Sequence, residues 1–83
     1  MNIDNILKKH DLLLKVYFGL RSGRTPSIGK FVKHKDVDDL KKKNMVRFVH
    51  YSKFEEYDNG LPDDNLTVIF TAHSIEQIKV VNG

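Results

Sequence analysis

Cysteine and tryptophan are absent from this 83-residue chain, and proline occurs only twice. Without cysteine there is no disulfide framework, no thiolate zinc site and no thiol nucleophile, and a reducing cytoplasm is the simplest setting for such a composition. Long apolar runs are missing too. The longest, such as Leu12 to Leu14 and Val16 to Phe18, fall far short of the roughly 20 residues needed to cross a bilayer. Lys8 and Lys9 follow Ile3, Ile6 and Leu7, the reverse of the basic-then-apolar order of a secretory signal. The expectation is a cytoplasmic protein with no membrane partner, folded as a single domain over residues 1–83. That length is near the lower limit for burying a self-sufficient core, so little is left for a deep, enclosed active site.

What is present is charge, and it is segregated. Arg21 to Lys43 holds eight basic residues, Arg21, Arg24, Lys30, Lys33, Lys35, Lys41, Lys42 and Lys43, against three aspartates. Lys53 to Leu66 holds five acids, Glu55, Glu56, Asp58, Asp63 and Asp64, against one lysine. A formal net charge of +3 therefore conceals a dipolar surface, which bears on partners rather than on fold.

The hydrophobic pattern places the elements. Ile3, Ile6, Leu7 and His10 share one helical face, with Asn2 or Asp4 available as a cap. Residues 12–20 carry two patterns at once. Leu12, Leu14, Val16, Phe18 and Leu20 alternate as in a strand, whereas Leu7, His10, Leu13, Leu14 and Tyr17 continue a helical stripe. The aromatic and β-branched content of Val16 to Phe18 favours the strand. The turn residues of Arg21 to Pro26 predict a hairpin returning through Ser27 to Val32. Asp36, Val37 and Leu40 predict a short helix with its lysines in the last turn, where the helix dipole favours cations, and Asn44 at its end. Met45 to Tyr51 and Leu66 to His73 are the clearest strands, joined through the acidic loop with its Asn59-Gly60 and Pro62. Ser74 is placed to cap a turn containing Ile75 and Ile78, before a final edge strand from Lys79 to Val81. The fold class expected is α+β: an antiparallel sheet of four or five strands with one or two short helices. Its core is expected to include Leu14, Val16, Phe18, Val37, Leu40, Phe48, Val68, Phe70 and Ile78.

No chemical motif is complete. Gly23 to Lys30 departs from a phosphate-binding loop in its glycine spacing and in having Phe31 where a magnesium-binding hydroxyl is required. Asp58, Asn59, Gly60, Asp63, Asp64 and Asn65 lack the alternation of a calcium loop. The four histidines, His10, His34, His50 and His73, contain no i, i+4 pair for a metal. His50 and His73, if they faced each other across the strand pair, would supply the acid and base of a small toxin-like ribonuclease. No catalytic, metal or cofactor residue is assigned, and a non-enzymatic role is expected.

Val37 to Val46, followed by a long hairpin, resembles the end of a recognition helix running into the wing of a winged-helix DNA-binding domain. The resemblance covers about a quarter of the chain, and Gly23 to Met45 is short for two helices. It implies DNA contacts from Lys35, Lys41, Lys42 and Arg47. The leading functional expectation is a protein-binding module, a modulator or inhibitor of a larger macromolecule. Its partner would be met by exposed strand edges and by Glu55, Glu56, Asp58, Asp63 and Asp64. The alternative is a DNA- or RNA-binding module using Arg21, Arg24, Lys30, Lys33, Lys41, Lys42, Lys43 and Arg47, with Tyr17 or Phe31 stacking on a base. Pairing of edge strands would also permit a homodimer.

Overall fold

The computed structural model describes residues 2–19, 25–60 and 64–81. Five strands, β1 (Leu14–Phe18), β2 (Ser27–Val32), β3 (Met45–His50), β4 (Val68–Thr71) and β5 (Ile75–Val80), form one sheet in the order β4-β3-β2-β1-β5. Every neighbouring pair is antiparallel. Three short helices accompany it: α1 (Ile3–Leu7), α2 (Val37–Lys42) and α3 (Phe54–Asp58). The small α+β architecture with an antiparallel sheet is thus the one expected, with a third helix inside the segment read as an acidic loop.

Local chemistry accounts for the elements. The Asn2 side chain accepts a hydrogen bond from the Asp4 amide at 2.8 Å, capping α1, and Ile6 from the inner face of that helix is fully buried. In β1 the alternation decides: Leu14 and Val16 are fully buried, while Lys15 between them is exposed. Helix α2 ends because Asn44 adopts a left-handed conformation, φ 59°, which asparagine tolerates better than most residues. Its carbonyl then accepts from the Ala72 amide at 2.8 Å, joining the start of β3 to the end of β4.

The sheet is strongly curled. Phe18 of β1 and Phe70 of β4 belong to strands with two others between them, yet their ring centroids are 4.8 Å apart. Phe70 also meets Phe48, and Phe48 meets Phe31. The pairing is staggered from strand to strand, Leu14 lying opposite Gly29 and Gly29 opposite His50; stagger of this kind is what closing a sheet toward a barrel requires. Ile6, Leu14, Val16, Phe31, Val46, Phe48, Ala72 and Ile75 fill the concave side, with Ile3, Leu7, Phe18, Phe70 and Ile78 packed around them.

Several expectations are corrected. Val68, the first residue of the edge strand β4, is 49% exposed, whereas Phe70 two residues on packs against the core. Val37 and Leu40 are only half-buried. Ile75 and Ile78 belong to one continuous strand, not to a helical turn; a bulge opposite Tyr17 and Phe18 sets Ile75 against Phe18 and Ile78 against Val16, turning both inward. The positioning helix required by the winged-helix resemblance is absent from Ser27–Val32, which is strand β2. The expected hairpin turn falls largely on residues 20–24, outside the described residues; β1 and β2 pair as expected.

Gly29 sits where β2 is held on both sides. A β-carbon there would lie 2.1 Å from the Val49 carbonyl oxygen and 2.6 Å from the Phe48 ring. Backbone cannot yield cheaply to such an overlap, so Gly29→Ala is expected to cost about 2–3 kcal/mol, read as a lower urea midpoint at unchanged m.

Candidate functional site

Alternation along the strands gives the sheet a second, outer face. Val46 and Phe48 enter the core, so Arg47 and Val49 point outward, and Val32 of β2 joins them by its register opposite Arg47. Val49 and Val32 are nevertheless buried, as is Leu66 from the turn before β4. The β2–β3 half of the outer face is therefore covered, and the connection carrying α3 packs on β3 and β2.

A polar cluster fastens this cover. Arg47 donates through Nη1 to Thr67 Oγ1 at 2.7 Å and through Nη2 to Asp36 Oδ2. Its side chain is only 12% exposed, against 40% for Asp36. His34 Nε2 hydrogen-bonds the Tyr57 hydroxyl at 2.7 Å, and the two rings stack with planes 12° apart. The cluster therefore ties the β2–α2 connection to β3, to the segment before β4, and to α3. The Arg47 hydrogen bond holds the Asp36 carboxyl below its ordinary pKa of 3.8, against the opposing effect of burial. Burial raises the Tyr57 hydroxyl above 10.0, with the charges of Asp11 and Asp58 adding to it, so the phenol stays protonated near neutral pH. These groups hold protons and positions, with Asp36 Oδ1 and Arg47 Nε buried and without a hydrogen-bond partner among the described residues.

The expected site residues are distributed around this cluster. Glu55, Glu56 and Asp58 lie together on α3, all exposed. Asp64 begins the one-turn 3-10 helix Asp64–Leu66, and Asp63 is outside the described residues. Of the basic set, Arg21 and Arg24 are outside the described residues. Lys33, Lys42 and Lys43 are exposed. Lys30 lies over the Phe54 ring at 4.6 Å, Lys41 pairs with Asp4 at 2.8 Å, and Arg47 is held in the cluster. Lys35, a contact implied by the winged-helix resemblance, is exposed. Phe31 is fully buried and has no face for a base. Between α1 and α2 runs an open groove of about 500 Å³, lined by Asp4, Leu7, Lys8, Lys33, Val37 and Lys41 among others, its charges partly paired internally.

The histidines do not assemble. His50 closes β3 and accepts the Ser52 amide on Nδ1 at 3.2 Å, whereas His73 follows Thr71, which pairs with Met45 at the opposite end of β3. The acid–base couple is therefore not formed. Among the described residues no group of three or more His, Asp or Glu is placed to hold a metal ion, and no helix is long and apolar enough to cross a membrane. Sequence reasoning missed His34, Asp36, Thr67 and Tyr57 as a unit, because their contacts span up to 23 positions.

The stability contributed by Asp36 is present above the unfolded carboxyl pKa, near 3.8, and is lost as pH falls through the lower folded value. Asp36→Asn is expected to cost about 1–2 kcal/mol at pH 7, discounted for the exposure of Asp36. The gap to the parent protein should close below pH 3.8 in thermal melts across an acid series. Tyr57→Phe should cost about 1 kcal/mol and speed amide exchange in residues 54–58 more than in β1.

No protein-family model matches this chain, and neither the curated proteins nor the solved structures contain a match to it.

Proposed function

We propose that this protein is a non-enzymatic protein-binding module, a modulator or inhibitor of a larger macromolecule, which takes up an extended basic segment of its partner along β4. The observation that carries the reading is the state of that strand. β4 ends the sheet, its sequence Val-Ile-Phe-Thr has strong β propensity, and Val68 and Ile69 are 49% and 46% exposed. An edge strand whose own residues, Val68–Thr71, include no lysine or proline is a template for strand addition. Charge complementarity selects the partner's sign. Ile69 stands opposite Arg47 on the outer face, the face on which α3 displays Glu55, Glu56 and Asp58 to solvent. Those acids favour lysine or arginine flanking the incoming strand and speed encounter with it.

The test is selection from a library of displayed ten-residue peptides, followed by titration of a selected peptide into labelled protein. Selected sequences should alternate β-branched residues with lysine or arginine, and their amide shifts should centre on Val68–Thr71. Reversing Glu55, Glu56 and Asp58 together to lysine should weaken the peptide about tenfold while leaving the melting midpoint within a few degrees. Shifts centred on another strand, or unchanged affinity in the triple variant, would count against the reading. So would concentration-dependent pairing of two copies through β4, which would give the edge a different occupant.

A further inference from the structure

Towards β1 and β5 the outer face exposes Lys15, Gln77 and Lys79, and among the described residues its charge is of one sign. Alternation and register place Ile28 and Lys30 of β2, Lys15 and Tyr17 of β1, and Gln77 and Lys79 of β5 on it, opposite in parity to Leu14, Val16 and Ile78 of the core. None of these six is acidic. Lys15 and Lys79 are direct cross-strand partners and both are exposed. Like charges directly opposite each other destabilise a sheet, so the pair opposes the fold that contains it. The acid of β5, Glu76, is set off by the bulge and lies beside Gly19. The lysine-rich end of α2 differs, since Asp38 and Asp39 begin the same helix.

We infer that this face binds single-stranded nucleic acid, with Lys15, Lys79 and Lys30 meeting phosphates and the half-buried Tyr17 ring supporting a base. Adjacent strands stand about 4.8 Å apart, so the three lysines cross the sheet as a short ramp rather than a point charge. Tyr17 lies among them with Lys79 over its ring at 5.5 Å. A cationic track with an aromatic platform is the arrangement by which sheets hold unpaired strands without reading a duplex groove. This surface is separate from β4, so the two partners do not compete for the same residues.

The experiment is fluorescence anisotropy of a labelled 12-nucleotide oligouridylate against the full chain from 50 to 300 mM salt, with a duplex of the same length and phosphatidylglycerol vesicles as comparison arms. Expected is binding at 50 mM salt that weakens steeply as salt rises, with the single strand preferred. Lys15→Gln/Lys79→Gln should flatten the slope of log affinity against log salt by about 1.4, two phosphate contacts at about 0.7 each for a single strand. Its melting midpoint should be equal to or above the parent's, since it relieves a like-charge pair. Tyr17→Leu should weaken binding about tenfold, and Tyr17→Phe, which keeps the ring and protects the packing, should retain it. No binding at 50 mM salt, an unchanged salt slope in the double lysine variant, or preference for the duplex or the vesicles would each overturn the inference.

Discussion

The constraint on which this structure depends is a short connection. β4 and β5 occupy opposite edges of a five-stranded sheet, yet only the single 3-10 turn Ala72–Ser74 separates them. In a flat sheet those edges would stand about 19 Å apart, four strand spacings, whereas the chain from Thr71 to Ile75 reaches at most about 14 Å. The sheet has to curl until its edges approach. The contact between Phe18 and Phe70 is a consequence of that curl, while the hydrogen bond from the Gly19 amide to the Ser74 carbonyl extends the β1–β5 pairing up to the turn. Ala72, fully buried at the turn, is small enough to pass between the two edges.

Curling gives a small chain an inside. A flat five-stranded sheet of this length would expose one apolar face or need helices to cover it, and three helices of five or six residues cannot cover much. Here the concave side covers itself, and α1 contributes Ile3, Ile6 and Leu7 to it. What remains outside is divided. The β2–β3 half is sealed by α3 and its preceding turn over Val32 and Val49, with Arg47, Asp36, His34 and Tyr57 as polar fastenings, while the β1–β5 half exposes Lys15, Gln77 and Lys79. Lys30, over the Phe54 ring, stands at the border between them.

Much of this was legible in the residues. Alternation located β1 and β3, and Asn44 marked the end of α2. Elsewhere local patterns misled for physical reasons. A bulge converts a spacing of two into three, so Ile75 and Ile78 imitate a helical pair while lying in a strand. Phe54 and Tyr57 do carry a one-turn helical spacing, but the acids around them read as a solvated loop. Val68 alternates like a core residue but stands at the first position of an edge strand, where it is exposed, while Phe70 further along packs inward. The segregation of charge is plain in the sequence, with its basic half in the Arg21 to Lys43 segment. Lys41 and Arg47 prove to be engaged with aspartates, and the lysines that face one another come from the first and last strands, which linear proximity does not reveal.

Pairing the first strand with the last also shapes how the chain acquires its fold. β1 has two neighbours, β2 and β5. Contacts between such distant positions require closure of a long loop before they return any stability, which slows folding relative to helical domains of similar size. During synthesis β1 and β2 emerge early, but the inner side of β1 lacks Ile75 and Ile78 until the final strand leaves the ribosome. An incomplete chain therefore presents a second unpaired edge, along Leu14–Phe18, that the finished molecule conceals. The cationic Lys15 on that edge is of the kind that discourages edge-to-edge association while the chain waits.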